Sequence, residues 1–237
     1  MQILASKFIY LADQESLGKT LEPFKNTAIQ LSFFQKRDFF QTDHEHVKEI
    51  CTSFNISIQT VHAPTVDVFN HDFLNIMEAI RNIYNINLIT IHPQKGDSIL
   101  AMAKLEEYAN AIEDLGITLA YENFPSSVGR RKWICLPGEM YLKFELPFLR
   151  LTFDTSHLDS PKDCIEEFDA VADKVAIIHL SDNDGRNQHQ PLGTGNVPCR
   201  QFIRHLKDMD FQGPVVIEYM PEYQDKLIED VRKFAAA

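Results

Sequence analysis

Most of the features by which a chain declares what it handles are missing from these 237 residues. No apolar run approaches the ~20 residues of a membrane span. The amino-terminal MQILASKFIYLA has no basic segment ahead of its apolar residues and is interrupted by Lys7, so it reads as a first strand, Gln2 to Ser6, rather than a leader. No membrane partner and a cytoplasmic location are the expectations. The four cysteines, Cys51, Cys135, Cys164 and Cys199, form no CxxC pair. That excludes a disulfide framework and a closely paired thiolate zinc site, and leaves unpaired thiols. Positive charge is scarce, with 23 Lys and Arg against 34 Asp and Glu and a net charge of −11. Nucleic-acid binding draws its affinity from a basic surface, so no nucleic-acid partner is expected. The compact basic cluster Gly129 to Lys132 reads as a solvated loop. Among the nine glycines there is no GxGxxG, the turn that opens a dinucleotide-binding sheet.

What is present is a repeat. Short, β-branched apolar runs end in residues that bind metals or move protons. They are Thr27 to Phe34, then runs closing at His62, His92, Glu122, Asp154 with His157, His179 with Asp182, and Glu218. From His62 onward the spacings are 30, 30, 32, 25 and 39 residues, near the ~30 of one strand-plus-helix unit. Segments of helical period lie between them. His44 to Phe54 places Val47, Ile50, Cys51 and Phe54 on one face, and Phe73 to Tyr84 repeats the pattern. Asp97 to Gly116 and three later segments behave alike, and SLGKTLEPFKN supplies the first helix. The strands are continuously apolar, as parallel strands covered on their outer face should be. These features predict one (β/α)8 TIM barrel domain over residues 1–237, with its site at the carboxyl ends of the strands. A doubly wound open sheet would concentrate its chemistry at one switch point, whereas here six strands end in polar residues.

Glu122, Asp154, His179 and Glu218 close the fifth to eighth strands and should converge across the barrel mouth. Three buried carboxylates stay ionised together only around a cation. Three oxygens and one nitrogen suit a divalent ion, Mn or Zn first, with Co or Mg as alternatives. His62, His92 and His189 are candidates for a second metal site, with substrate contact or plain structure as the competing readings. The irregular stretch Asn183 to Pro198 suits a loop that folds over a ligand. Phe33, Phe34, Phe124 and Trp133 are candidates for an apolar wall, although core packing explains the phenylalanines equally well.

The phrases VHAP, IHP, ENF, FDTSH, HLSDNDG, HQPLGTGN and IEY, in this order from about Thr27 to Tyr219, resemble the xylose-isomerase-like TIM barrels. That superfamily joins sugar isomerases and epimerases with zinc apurinic/apyrimidinic endonucleases. The isomerase branch implies one divalent metal on Glu122, Asp154, His179 and Glu218, with His157 and Arg186 holding substrate; His62 and Trp133 are further substrate-contact candidates read from the residues themselves. Glu122 and Glu218 would then move the proton through a metal-stabilised enediolate on a small sugar, sugar phosphate or hydroxypyruvate-like substrate. The endonuclease branch implies three zincs, using His62, His92 and His157 as well. Its third site takes an Asp-x-His where this chain has Asn187-Gln188-His189. That departure and the acidic charge favour sugar chemistry. A zinc-dependent phosphodiesterase and a non-catalytic metal-binding barrel are the alternatives.

Overall fold

A computed structural model describes residues 1–92, 98–123 and 146–235. Eight strands close into a barrel in sequence order, each parallel to both neighbours. They are β1 (Gln2–Ile9), β2 (Ala28–Phe33), β3 (Ser57–His62), β4 (Leu88–Ile91), β5 (Thr118–Glu122), β6 (Leu149–Asp154), β7 (Val175–Leu180) and β8 (Pro214–Ile217). The first strand runs three residues past the expected Ser6. Lys7 does not end it, because its side chain is itself buried. No helix among the described residues is long and apolar enough to cross a membrane.

Side chains alternate across each strand. Ile29, Leu31 and Phe33 of β2, or Leu119 and Tyr121 of β5, face outward into the main hydrophobic core under the helices. The opposite parity fills the barrel. Leu4, Ala120, Ile177 and Val216 form a small apolar plug of their own, all with 0% exposure. Ser6, Gln30, Ser32, Thr60, Thr90 and Thr152 are buried polar residues, with Ser6 and Ser32 hydrogen-bonded across β1 and β2 and Thr90 and Thr152 across β4 and β6.

The helices follow the apolar periodicity with local breaks. They are α1 (Leu17–Leu21), α2 (Lys36–Phe40), α3 (His44–Ser53), α4 (Phe73–Tyr84), α5 (Ser98–Glu107), α6 (Ala109–Asp114), α7 (Cys164–Asp169), α8 (Cys199–Asp208) and α9 (Gln224–Ala235). SLGKTLEPFKN is not one helix. The α-helical turn α1 sits between 3-10 segments Leu11–Ser16 and Glu22–Phe24, and Pro23, which cannot extend an α-helical ladder, lies in the second. The expected helix over Asp97 to Gly116 is interrupted at Tyr108. Cys51, Cys164 and Cys199 are free and buried, and burial raises all three thiols, Cys51 to about 11 and Cys199 to about 12. They are not poised as nucleophiles. Cys135 and the Gly129 to Lys132 cluster lie outside the described residues.

Candidate metal centre

Each candidate ligand stands two residues beyond a barrel-filling residue of the same strand, and so shares its inward parity. Ala120 precedes Glu122, Thr152 precedes Asp154, Ile177 precedes His179 and Val216 precedes Glu218. Adjacent strands β5 to β8 therefore lift four side chains to one level. His179 Nδ1 lies 2.8 Å from Glu122 Oε1, 2.9 Å from Glu218 Oε2 and 3.6 Å from Asp154 Oδ2. One ligand atom from each of the four falls within 4.8 Å of all the others.

These groups are not satisfied by one another. A single nitrogen carries at most one proton, so His179 Nδ1 cannot serve Glu122 Oε1, Asp154 Oδ2 and Glu218 Oε2 together. Asp154 Oδ2 and Glu218 Oε2 are buried without a hydrogen-bond partner, a state that costs free energy unless something else compensates. The carboxyls of Glu122, Asp154 and Glu218 all lie below their ordinary range. Burial pushes each one up, but His179 and His62 beside Glu122, His157 and His189 beside Asp154, and His179 beside Glu218 outweigh it. Burial pulls His179 down, and the charge of Glu218 with the bonds to Asp154 and Glu122 carries it well above its ordinary value. Orphaned carboxylate oxygens aimed at one imidazole nitrogen fit a divalent cation held by Glu122, Asp154, His179 and Glu218.

The flanking histidines fall into two further groups, each sharing a carboxylate with the quartet. His62, His92 and Glu122 form one, and Asp154, His157 and His189 the other. His189 thus stands with Asp154 and His157 across the mouth from His62 and His92. Glu122 Oε2 is 3.3 Å from His62 Nε2 and 3.7 Å from His92 Nδ1. Burial and the neighbouring His62 push His92 down to about 3, while the hydrogen bond and charge of Glu122 overcome burial to raise His62. His157 Nε2 and His189 Nε2 are 3.1 Å apart.

Several supporting groups carry no sequence signal of their own. Asn123 holds Asp154 from both sides, accepting from its backbone N–H at 2.6 Å and donating to its carbonyl at 3.0 Å. Asp154 Oδ1 accepts from the Ser156 N–H at 2.7 Å. Asp182 closes its run, yet it serves the loop. Its carboxylate accepts backbone N–H bonds from Asn183, Gly193 and Val197 at 2.9, 2.8 and 2.9 Å. Gly193 takes φ +85°, and a Cβ on Gly195 would come within 2.5 Å of Asp182 Oδ1. LGTGN is therefore a packed turn. The same loop is fastened at Leu192 N–H to Tyr219 Oη, 2.9 Å, and at the His189 carbonyl to Met220 N–H, 3.1 Å.

Above the ligands lies a cavity of about 370 Å³. Its lining combines Glu122, Glu218, His62, His92, His157 and His189 with the apolar Phe8, Tyr10, Phe34, Met220 and Pro221, and does not include Asp154 or His179. Phe33 packs instead against Phe39, His44 and Tyr84 in the outer core. Arg186 is exposed on its loop, outside the cavity lining. Asn187 is also exposed and donates to Asp184 Oδ2 at 2.9 Å. Trp133 and Phe124 lie outside the described residues. A larger hollow of about 630 Å³ at the amino ends of the strands, beside Met1, Asn26 and Arg232, has none of these ligands.

The sequence profile of the xylose isomerase-like TIM barrels matches residues 26–236. The chain belongs to this family. Within it, an L-ribulose 3-epimerase of Methylomonas sp. (strain DH-1) is 29% identical over 129 residues, 52% of this chain and 42% of that protein. The solved structure of a D-tagatose 3-epimerase-like protein superposes with a TM-score of 0.71 at 16% identity, covering 100% of this chain and 98% of the other. An AP endonuclease, family 2, from Brucella melitensis also gives 0.71, at 12% identity and 99% and 98% coverage. Proteins with two different names thus share this backbone, and the fold alone does not assign a chemistry.

Proposed function

We propose that the chain is a divalent-metal-dependent isomerase or epimerase of a small sugar, or of a sugar-phosphate or hydroxypyruvate-like compound. The observation that carries this reading is that, of the four quartet residues, Glu122 and Glu218 are the two that line the cavity. Two carboxylates from non-adjacent strands, held at one imidazole, can serve a substrate carbon from two directions. The ion, Mn or Zn, supplies Lewis-acid polarisation of the substrate carbonyl and a counter-charge for the transition state. Glu218, which lines the cavity, accepts the proton α to the carbonyl. Glu122 takes a proton from His62 Nε2, 3.3 Å away, and passes it to the neighbouring carbon in isomerisation or to the opposite face in epimerisation. His157 and His189 orient substrate hydroxyls from the side of the cavity. The apolar lining residues receive the carbon skeleton and exclude water from the reacting centre.

A second reading, zinc-dependent phosphodiester cleavage, is favoured by the two extra ligand groups that share Glu122 and Asp154 with the quartet. Against it stand Asn187, turned to Asp184 on the loop surface, and the net charge of −11. The deciding experiment counts metal in protein purified without chelator, then follows solvent deuterium into ketoses and hydroxypyruvate. One ion per chain, with exchange abolished in Glu218→Gln, is expected. Three zincs with incision of abasic DNA would replace this reading with the nuclease, and bound metal with no turnover of either kind would leave a binding barrel.

A further inference from the structure

Three histidines at the mouth have one ring nitrogen facing the ligand cluster and the other committed to an oxygen behind it. His62 Nδ1 donates to the Ala63 carbonyl at 3.1 Å, and His157 Nδ1 donates to the Asn123 carbonyl at 2.9 Å. His179 Nε2 donates to Gln30 Oε1 at 3.2 Å, across the barrel from β7 to β2. In the first two the acceptor is main chain. In the third it is a side chain, the fully buried Gln30, which has no contact with the cavity.

We propose that Gln30 is a positioning residue for the metal quartet, holding His179 with its proton on Nε2 and its Nδ1 lone pair aimed among Glu122, Asp154 and Glu218. The inference rests on the metal reading above. A neutral imidazole carries one proton, and the nitrogen that keeps it is set by the partner of that N–H. With the amide oxygen at Nε2, the opposite tautomer would face lone pair against lone pair and point an N–H where the ion belongs. In this orientation the amide Nε2 donates to Ser32 Oγ at 3.4 Å, and Ser32 Oγ lies 3.1 Å from Ser6 Oγ, so both ends of the amide have a partner. The pairing of β2 with β3 shifts register between Ile29 and Gln30, at the start of this polar row. Such irregularities re-aim side chains beside functional sites. A merely space-filling role for Gln30 would require neither the amide oxygen nor its orientation.

The test is a titration of chelator-stripped protein with Mn²⁺ and Zn²⁺, comparing wild type with Gln30→Met, Gln30→Glu and Thr90→Val. Gln30→Met keeps length and volume but has no amide oxygen, and should bind about 10–100-fold more weakly. Gln30→Glu retains an acceptor and should stay within about threefold of wild type, or bind more tightly. Thr90→Val removes a buried barrel hydrogen bond that touches no ligand, and should leave the dissociation constant unchanged. Independently of any variant, ¹⁵N spectra of the zinc-loaded wild type should show His179 protonated at Nε2 and coordinated through Nδ1. Folded Gln30→Met with wild-type affinity, or His179 coordinated through Nε2, overturns the inference while leaving the metal site standing. A wild-type chain that binds no divalent ion overturns both together.

Discussion

On four strands of the barrel, two residues separate the driest part of the interior from a wholly polar one. Leu4, Ala120, Ile177 and Val216 make the apolar plug, and Ser6, Glu122, His179 and Glu218 stand two positions further along the same strands. Below, every group is satisfied by contact with hydrocarbon. Above, Glu122 and Glu218, joined by Asp154 from β6, crowd one imidazole, and two of their oxygens have no hydrogen-bond partner. The plug holds the barrel closed, and the layer above it sustains an arrangement that the chain would not adopt for stability alone. Local consistency fails where the function is proposed to lie.

The difference can be broken from either side. The largest effect is expected from the upper layer, where Glu122→Gln and Glu218→Gln should each lower turnover by about 10²–10⁴-fold, with little change in the melting temperature of the metal-free protein. Initial rates and thermal denaturation on the same samples check both halves of that statement. In the plug the pattern should reverse. Leu4→Ala should cost about 2–5 kcal/mol of stability, measured in denaturant, while the metal dissociation constant of the folded protein stays put. Loss of affinity at equal folding in that variant would show that the layers are not separable.

The ion should join the two layers energetically. At a free concentration 100 times its dissociation constant it should stabilise the fold by about 2.7 kcal/mol, and a chelator should reverse this completely. Acidity supplies the smallest lever. The His179 proton is held above its ordinary range by Glu218, Asp154 and Glu122 against the opposing pull of burial, and it must leave Nδ1 before an ion can bind. In metal-free protein that protonation stabilises the fold fully below the unfolded pKa of ~6.5, and the contribution is lost as pH rises through the folded value. Metal affinity should run the other way, rising with pH by up to about tenfold per unit in that window. Titrations at several pH values measure the slope, and a flat profile would remove His179 from the ligand set.

How much of this was legible in the sequence depends on the range of the interaction. Helix α4 begins and ends where the apolar period of Phe73 to Tyr84 does, because that signal is local. The closed parallel barrel follows from strand-end chemistry recurring about every 30 residues, and so does the convergence of Glu122, Asp154, His179 and Glu218. The first helical stretch was less readable, since Pro23 and Gly18 leave short turns whose form is decided by packing. His189 was grouped with His62 and His92, whereas it stands with Asp154 and His157, because its place depends on where Asp182 and Tyr219 fasten the loop. Gln30 was invisible. It sits in an ordinary strand, and the atom that gives it meaning lies 149 residues away.

The shared parity of plug and ligand also constrains how such a chain can change length. Removing one residue from β5 ahead of Glu122 would swing the carboxylate through the wall, into the layer where the outward residues of β5 meet the helices. Removing two would keep it inside but lower it by ~6–7 Å, towards the plug. Below the ligands, then, the strands behave like text read in pairs, where odd insertions or deletions are nonsense and even ones are displacements. The loops beyond the ligands are under no such reading frame, and length can vary there without moving the ligands in or out of the barrel.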